Sequence, residues 1–445
     1  NTDGDAFKDG VYYFGGEDDG AMTTGWLQLD ITYDEATTDD YKYTAAAFND
    51  DEDQTRWFYF KSNGKMIKSD EGDRTKDKTI NGKKYAFDQY GAMVAEWSLD
   101  SDDEKEASDN VGHYAASTNQ SVASVSEAWQ GKGNYAQYSK AWKYFNSVED
   151  GARVSKGWFK VVPAEYLNEG KYDDDEDFWY YADGSGNLYA GEFKTIKGKK
   201  YAFRNDGRML TGLKFILEDD DNDNLTVYAD DDGTYNFDNE DDFLDNAVDF
   251  YEPGGYKCYY FGGGDDGAMR TNKTTVEIDG ENHNFYFEKS GSHKGAGVTG
   301  EKDDKLYQSG MLLKADSDDK YIVVDKTTKY KTVDGQKVLD YVTYNKLDDA
   351  KDFMAQDDVL ESNTAVDADG KIDLGNNNKK KAEDISEAYT IRYKAYGSSD
   401  MTTHEYFLVN TSGKVIDNRG KNKDGSDYYY VTDNSGKITN IYVED

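Results

Sequence analysis

The sequence contains one cysteine, Cys258, and two prolines among its 445 residues. A single cysteine cannot form an intrachain disulfide, and in the strand-like segment KCYYF we expect Cys258 to pack as a small apolar side chain. Because proline is scarce, turns have to be made by glycine, asparagine and aspartate, and the chain has 43 glycines. The fold must therefore depend on packing and turn geometry rather than on covalent cross-links.

Positive charge and long apolar runs are also scarce. The chain has 52 Lys and Arg against 90 Asp and Glu, which gives a net charge of −38. A phosphate polymer would be repelled, so we expect no nucleic-acid partner. No apolar run is long enough to span a membrane, and no signal peptide is recognisable. The charge suits a soluble extracellular protein in a crowded or salty setting, and we expect the chain to be a mature or excised segment.

The sequence lacks the residue patterns of known catalytic sites. The four histidines have no zinc-protease spacing, and neither a phosphate-binding loop nor a Gly-x-Ser-x-Gly elbow occurs. Carboxylates are too numerous for a glycosidase pair to be singled out. We therefore expect that the chain is not an enzyme, that any catalytic part lies outside it, and that it needs no cofactor.

Calcium is a weaker candidate ligand. Asp219, Asp221 and Asp223 alternate along the chain as the oxygen ligands of a calcium loop do. The glycine at the sixth position and the closing glutamate of such a loop are missing. An acidic run of this kind is usually a solvated surface.

Aromatic residues are abundant, at 15% of the chain with 38 tyrosines. They recur in a pattern of an aromatic triplet, a polar turn that ends in glycine, and a methionine or aliphatic residue two positions later. The stretch KKYAFDQYGAM (83–93) returns as KKYAFRNDGRM (199–209). Other copies begin at Val11, Trp57, Trp142, Phe178, Cys258, Phe285, Leu306, Glu405 and Tyr428.

Each copy of the pattern predicts a β-hairpin. Aromatic residues favour strands, and the glycine supplies the positive φ that a tight turn needs. Since one hairpin is only marginally stable alone, we expect neighbouring hairpins to pack on each other. The predicted fold class is mainly β: stacked β-hairpin repeats, β-solenoid-like, with inserted loops and small α/β segments.

Composition divides the chain into hairpin blocks and insertions. Hairpin repeats are predicted at 1–100, 142–213, 256–313 and 404–445, and helices only in the segments between them. The insertions are a Ser- and Ala-rich segment at 101–141 with a short helix near 122–130, an acidic segment at 214–255 with an exposed hairpin at 228–238, and a small inserted domain at 314–403 with a strand at 321–324 and a helix at 345–356.

The repeats resemble the cell-wall-binding repeats of Gram-positive surface proteins. That class includes choline-binding modules, the glucan-binding regions of streptococcal glucosyltransferases and the C-terminal repeats of clostridial toxins. The stretches GEFKTIKGKKYAFRNDGRMLTG (191–212) and KTINGKKYAFDQYGAM (78–93) carry the resemblance most closely, and the pattern covers about half of the chain in pieces. The resemblance implies a non-catalytic module that is secreted, on the cell surface or associated with the cell wall, and that binds a carbohydrate or a cell-wall polymer.

The resemblance also implies candidate ligand-binding rings. In choline-binding members the ligand lies between hairpins, against the Trp of a Gly-Trp pair, a strand aromatic, a ring of the next hairpin and a Met. Gly-Trp pairs occur at 25–26 and 157–158, but their strand aromatics follow 31 and 21 residues later, whereas family members have a few residues there. The candidates are Trp26, Trp57, Tyr85, Trp97, Trp158, Trp179, Tyr201 and Tyr259.

Three alternatives remain open at the level of sequence. The rings of the triplets, such as Phe60, Phe87, Phe203 and Phe261, are expected to form core between hairpins, with Met66, Met93, Met209 and Met269 filling gaps. The chain could instead be a structural subunit of a surface assembly or filament that self-associates through its repeats. It could also be the targeting portion of a larger secreted enzyme or toxin.

Overall fold

The computed structural model describes residues 11–15, 18–31, 54–70, 73, 75–88, 90–99, 136, 139–164, 167–218, 225–227, 237–347, 360–393, 401–417 and 420–445. The chain forms two compact units. The first comprises residues 1–211, 218–233 and 263–268, and the second comprises 212–217, 234–262 and 269–445. The expected mainly β class is confirmed, because most of the described elements are strands.

The first unit is built from antiparallel hairpins that pair β1 with β2, β3 with β4, β5 with β6, β7 with β8, and β9 with β10. Their bounds are β1 Gly25–Ile31, β2 Gln54–Phe60, β3 Thr75–Ile80, β4 Lys83–Asp88, β5 Glu96–Leu99, β6 Trp142–Phe145, β7 Gly157–Val161, β8 Phe178–Ala182, β9 Glu192–Ile196 and β10 Lys199–Phe203. A short helix, α1 (Glu169–Asp173), lies between β7 and β8.

The hairpins differ from the prediction in their pairing. Each aromatic strand pairs with the strand before it, as when Trp26 of β1 lies opposite Tyr59 of β2. The methionine that follows the glycine turn forms a single β-bridge back to the aromatic strand, as between Met93 and Phe87, and not a second paired strand. The reason is that the chain passes to the neighbouring repeat at this point, where the Met93 N–H donates to the Trp57 carbonyl oxygen at 2.8 Å.

The methionine of one repeat packs against the glycine of a later turn. A Cβ added to Gly151 would lie 2.3 Å from both Sδ and Cε of Met93, and Gly151 has a φ of +58°. The same contact joins Met66 to Gly91 and Met209 to Gly267. The turn therefore requires glycine for its left-handed backbone and also because a side chain would displace a buried methionine. This contact explains why glycine and methionine recur together.

The first residue of several polar turns is Asp or Asn, whose side chain accepts two backbone N–H groups. Asp88 accepts from Tyr90 and Ala92 at 2.8 and 2.9 Å. Asn410 accepts in the same way from the backbone N–H groups two and four residues later. Asp88 is buried, and its burial raises the pKa of the carboxyl to about 7.

The second unit contains longer sheets. Their orders are β14-β15-β18-β17-β16, β20-β19-β25 and β21-β24-β28-β27-β26, and the pairs β22-β23 and β11-β13 are separate from them. The bounds are β11 Leu213–Glu218, β12 Leu225–Val227 (in the first unit), β13 Lys257–Tyr260, β14 Asn272–Ile278, β15 Glu281–Phe287, β16 Gly300–Lys302, β17 Lys305–Gln308, β18 Met311–Leu312, β19 Tyr321–Val333, β20 Gln336–Leu347, β21 Leu360–Ser362, β22 Lys371–Asp373, β23 Lys379–Lys381, β24 Ile385–Ile391, β25 Thr402–Asn410, β26 Lys421–Lys423, β27 Tyr428–Thr432 and β28 Ile438–Glu444.

The predicted positions of the helices need correction. The fifteen-residue helix α2 (Glu240–Gly254) lies in the acidic segment between two blocks, where helices were allowed, whereas α1 lies inside a block that was predicted to be almost all strand. The helix predicted at 345–356 is wrong at its start, because β20 continues to Leu347 through its pairing with β19. The rest of that segment, the predicted helix at 122–130 and most of the predicted hairpin at 228–238 lie outside the described residues.

Candidate functional site

The first aromatic cluster consists of Trp26, Trp57, Tyr59, Tyr85 and Phe87. Trp26 of β1 meets Trp57 and Tyr59 of β2, with ring centroids 6.4 and 5.1 Å apart. It also meets Tyr85 of the next hairpin at 4.9 Å, at an interplanar angle of 67°. Both tryptophans and Tyr59 are partly exposed, whereas Tyr85 and Phe87 are buried. The cluster is therefore a junction between two hairpins that keeps some ring surface in contact with solvent.

The second aromatic cluster repeats this geometry with Trp158, Trp179, Tyr181, Tyr201 and Phe203. Trp158 of β7 lies 6.3 Å from Trp179 and 5.1 Å from Tyr181 of β8. Its distance to Tyr201 of the next hairpin is 4.9 Å, at 63°. Trp158, Trp179 and Tyr181 are again partly exposed. Two separate junctions thus present nearly the same arrangement of rings.

A third set of rings, which we call the covered cluster, consists of Trp97, Trp142, Tyr144, Phe159 and Tyr180. Trp97 of β5 lies 6.4 Å from Trp142 and 5.1 Å from Tyr144 of β6, and 5.1 Å from Tyr180 of the following hairpin. In contrast to the other two clusters, Trp97 is 4% exposed and Trp142 is 1% exposed. The covered cluster therefore has the same arrangement of rings as the other two, but its tryptophans are not accessible to solvent.

Carboxylates lie beside the strand tryptophans of the first and second clusters. The Trp57 indole N–H donates to Glu149 Oε2 at 3.0 Å. The Trp179 N–H is buried and lacks a well-formed hydrogen bond, but it lies close to Asp265. The pKa of the Asp265 carboxyl is lowered mainly by the Lys160 ammonium and secondly by this indole N–H. Both carboxylates precede by two residues the glycine of a later turn. With the indole N–H groups turned to these carboxylates, the faces of the aromatic rings are the groups that each cluster offers to a ligand.

The structure brings together six of the eight predicted site residues. Trp26, Trp57 and Tyr85 meet in the first cluster, and Trp158, Trp179 and Tyr201 meet in the second. The unusual spacings of 31 and 21 residues do not separate the rings, because the extra residues connect the far ends of the paired strands. The assignment of these rings as binding residues stays a prediction.

The remaining two predicted residues are not available to a ligand in this structure. Trp97 belongs to the covered cluster, and the side chain of Tyr259 is fully buried, stacked 6.3 Å from Phe261. We therefore leave Tyr259 out of the proposed site. Of the rings assigned to the core, all are confirmed as buried: Phe60, Phe87, Phe203 and Phe261.

Sequence reasoning missed Tyr59 and Tyr181, which complete the first and second clusters. Each lies two residues after a strand tryptophan, and side chains two apart in a strand share a face. The pattern Trp-x-Tyr was therefore a usable signal. The carboxylates of Glu149 and Asp265 had no local signal, because they come from turns far along the chain.

Other candidates for chemistry were also located. The Cys258 side chain is buried and its burial raises the thiol pKa, as suits an unreactive packing residue. The calcium candidates Asp219, Asp221 and Asp223 lie outside the described residues. Within the described ranges, no group of three His, Cys, Asp or Glu side chains could hold a metal ion. In the same part of the chain, each helix is too short or too polar to cross a membrane.

Fold and clusters together define a hairpin-repeat protein with aromatic junctions between successive hairpins. No protein-family model and no curated protein sequence matches the chain. Among solved structures it is similar to the modular autolysin LytC from Streptococcus pneumoniae, with 19% identity and a TM-score of 0.28 over 70% of this chain and 43% of LytC. The chain thus spans less than half the length of LytC.

Two further structures from Streptococcus pneumoniae are similar to the chain. Choline binding protein F matches with 19% identity and a TM-score of 0.24, over 69% of this chain and 90% of that protein. CbpJ matches with 17% identity and a TM-score of 0.25, over 74% of this chain and 89% of CbpJ. Choline-binding proteins are one of the groups that the repeats resemble in sequence.

Proposed function

We propose that the chain is a non-catalytic module of a secreted or cell-surface protein, and that it binds a carbohydrate or cell-wall polymer at its aromatic clusters. The observation that carries the proposal is the duplication of one partly exposed ring arrangement. Trp26 with Trp57 and Trp158 with Trp179 cross at 87° and 88° in different hairpins. A core contact needs no such repetition on the surface, whereas a ligand that is itself a repeating polymer gains from several equivalent sites.

The chemistry of the clusters fits ligands that pack against ring faces. Indole and phenol faces bind the apolar faces of sugar rings and also weakly hydrated cations. Because the Trp57 N–H is already bonded to Glu149, it is not free to donate to a ligand. Affinity would then come from stacking at each cluster and from the use of two clusters by one polymer chain.

The test is co-sedimentation of the full chain with insoluble Gram-positive cell walls and, separately, with insoluble α-glucan. The variant Trp57→Ala/Trp179→Ala should lose about tenfold or more in apparent affinity for the polymer that the wild type binds. The matched control is Tyr12→Ala, since Tyr12 is an aromatic residue of the same unit that is 47% exposed and lies outside both clusters.

Competition by free choline distinguishes a cation-binding cluster from a sugar-binding one. Elution by millimolar choline would identify the former, and binding that ignores choline would identify the latter. Absence of binding to both polymers, or a double variant that binds as well as wild type, would contradict the proposal. Release of soluble sugar from either polymer during the incubation would contradict the non-catalytic part of it.

Self-association is the second candidate function, and one observation favours it. The first copy of the repeat, which precedes β1, exposes Tyr12, Phe14 and Met22 at 47%, 55% and 44%, whereas the corresponding Phe60 and Met66 of the next copy are buried. A hairpin of a second copy would cover the same kind of surface. Sedimentation velocity over a range of concentrations tests this, and Phe14→Ser should shift any oligomer towards monomer.

A further inference from the structure

The covered cluster is closed by an eleven-residue segment, 167–177, which we call the strap. Leu167 at its start is fully buried and packs in the same apolar cluster as Trp97, Trp142 and Tyr180. The strap contains α1 and continues through a run of exposed acidic residues to the start of β8. Neither of the other two clusters is covered in this way by described residues.

The rings beneath the strap keep the geometry of an accessible cluster. The two tryptophans cross at 85°, compared with 87° and 88° in the first and second clusters. Trp97 meets Tyr180 at 5.1 Å, where Trp26 meets Tyr85 at 4.9 Å. A cluster that served only as core would be free to repack, because apolar cores tolerate many arrangements of similar volume.

The covered cluster also contains a buried polar atom without a hydrogen-bond partner in the described part of the chain. The Tyr180 side chain is fully buried, and its hydroxyl has no hydrogen-bond partner among the described residues. Burial raises the pKa of this hydroxyl well above its usual value. An unpaired buried hydroxyl is a cost that the closed state carries and that solvent or a polar ligand would relieve.

The start of the strap contacts both the covered cluster and the next hairpin. Leu167 packs in the apolar cluster, and Asn168 Nδ2 donates to Asp206 Oδ2 at 2.7 Å in the turn of a later hairpin. From Tyr172 onward the strap residues are exposed, and the whole segment has six acidic residues against one lysine. The Lys171 ammonium lies 3.0 Å from Asp174 and 3.9 Å from Glu176, and the excess of like charges favours exposure of this part of the strap to solvent.

We propose that the covered cluster is a third site for the same carbohydrate or cell-wall polymer, closed by the strap and opened by release of Leu167 and of the Asn168–Asp206 hydrogen bond. The inference rests on the proposed function of the first and second clusters. The strap then sets how many sites a chain offers, and a polymer that already occupies the open clusters competes with Leu167 for the covered rings.

The experiment counts bound ligands by isothermal titration calorimetry on the full chain, with choline chloride and a soluble dextran as probes. The variant Leu167→Ser/Asn168→Ala should bind one more probe molecule per chain than wild type. Adding Trp97→Ala to that variant should return the number to the wild-type value. The control is Tyr172→Ser, at a strap residue that is 47% exposed, and it should leave the number unchanged.

A thermal melt establishes that each variant is folded. If the double variant does not fold, Asn168→Ala alone removes one hydrogen bond, and acrylamide should then quench more of the tryptophan fluorescence than in wild type. A folded strap variant with unchanged probe number and unchanged quenching would overturn this inference alone. Wild-type protein that binds neither probe nor polymer would overturn the proposed function, and this inference with it.

Discussion

The contact between glycine and methionine predicts a large effect from a single methyl group. In Gly151→Ala the new Cβ would lie 2.3 Å from the Met93 sulfur, at a backbone φ of +58°. The left-handed backbone costs an alanine about 1–2 kcal/mol. Displacement of the buried methionine adds about 1–3 kcal/mol, as other overpacked cores do. We therefore expect Gly151→Ala to lower the free energy of unfolding by about 2–5 kcal/mol.

The matched control is Gly82→Ala, which isolates the backbone term. Gly82 has a φ of +83°, and a Cβ added there meets nothing within 4 Å. Its cost should be only about 1–2 kcal/mol. In the double variant Gly151→Ala/Met93→Ala the clash is absent, so the combined loss should fall short of the sum of the single losses by about 1 kcal/mol or more.

Urea unfolding followed by tryptophan fluorescence is the assay. All seven tryptophans lie before residue 212, so the signal reports on the first unit. Equal losses in Gly151→Ala and Gly82→Ala, or strict additivity in the double variant, would show that methionine does not press on this glycine. The physical account of the repeat would then fail at its central contact.

Three further outcomes are expected. Burial raises the pKa of Asp88 to about 7, so the folded chain holds a proton that the unfolded chain loses near pH 4. This group therefore contributes stability at low pH, and that contribution is lost as the pH rises through 7. In urea unfolding, the free energy of unfolding of Asp88→Asn should therefore rise relative to that of wild type by up to about 4 kcal/mol between pH 4 and pH 8. Parallel pH profiles of the two proteins would contradict this. Phe203→Ala should cost about 3–5 kcal/mol, whereas Trp179→Ala should cost less and remove more binding; equal melting temperatures would place Trp179 in the core. Glu149→Ala removes the acceptor of the Trp57 indole N–H and should weaken polymer binding about 3- to 10-fold, whereas Glu149→Gln keeps an acceptor and should not. Equal binding by the two variants would show that the indole needs no acceptor.

Local sequence patterns predicted the hairpins, their rings and their turns, but not which strands pair. The aromatic run at 57–60 pairs with residues 25–28 across a long connection, and short-range alternation carries no information about such a partner. The two-residue turn at Asn81 and Gly82 was, by contrast, a sufficient signal for β3 and β4, because the turn itself fixes the register.

The helix α2 shows a signal that was present and not used. Asn239 caps it by accepting from the Asp242 N–H at 2.9 Å, and acidic residues fill the first turn, as the helix dipole favours. The buried residues Phe243, Ala247 and Phe250 recur at helical spacing behind the acidic surface. A high density of Asp and Glu concealed this apolar stripe.

The three hairpins with tryptophans share a second feature, which links their rings to their connections. Long segments, 32–53, 100–141 and 162–177, connect the strands of the hairpins β1–β2, β5–β6 and β7–β8. The hairpins β3–β4 and β9–β10 have two-residue turns instead, and they carry a lysine, Lys84 or Lys200, in place of the strand tryptophan. Closing 22 residues rather than two costs about 2 kcal/mol more in chain entropy. An edge-to-face aromatic pair contributes about 0.5–1.5 kcal/mol beyond its buried area. The tryptophans of the first strands, Trp26, Trp97 and Trp158, each make three such contacts. The tryptophans thus offset the cost of their connections, so binding losses in the Trp57 and Trp179 variants have to be measured beside their stability before they are assigned to the ligand.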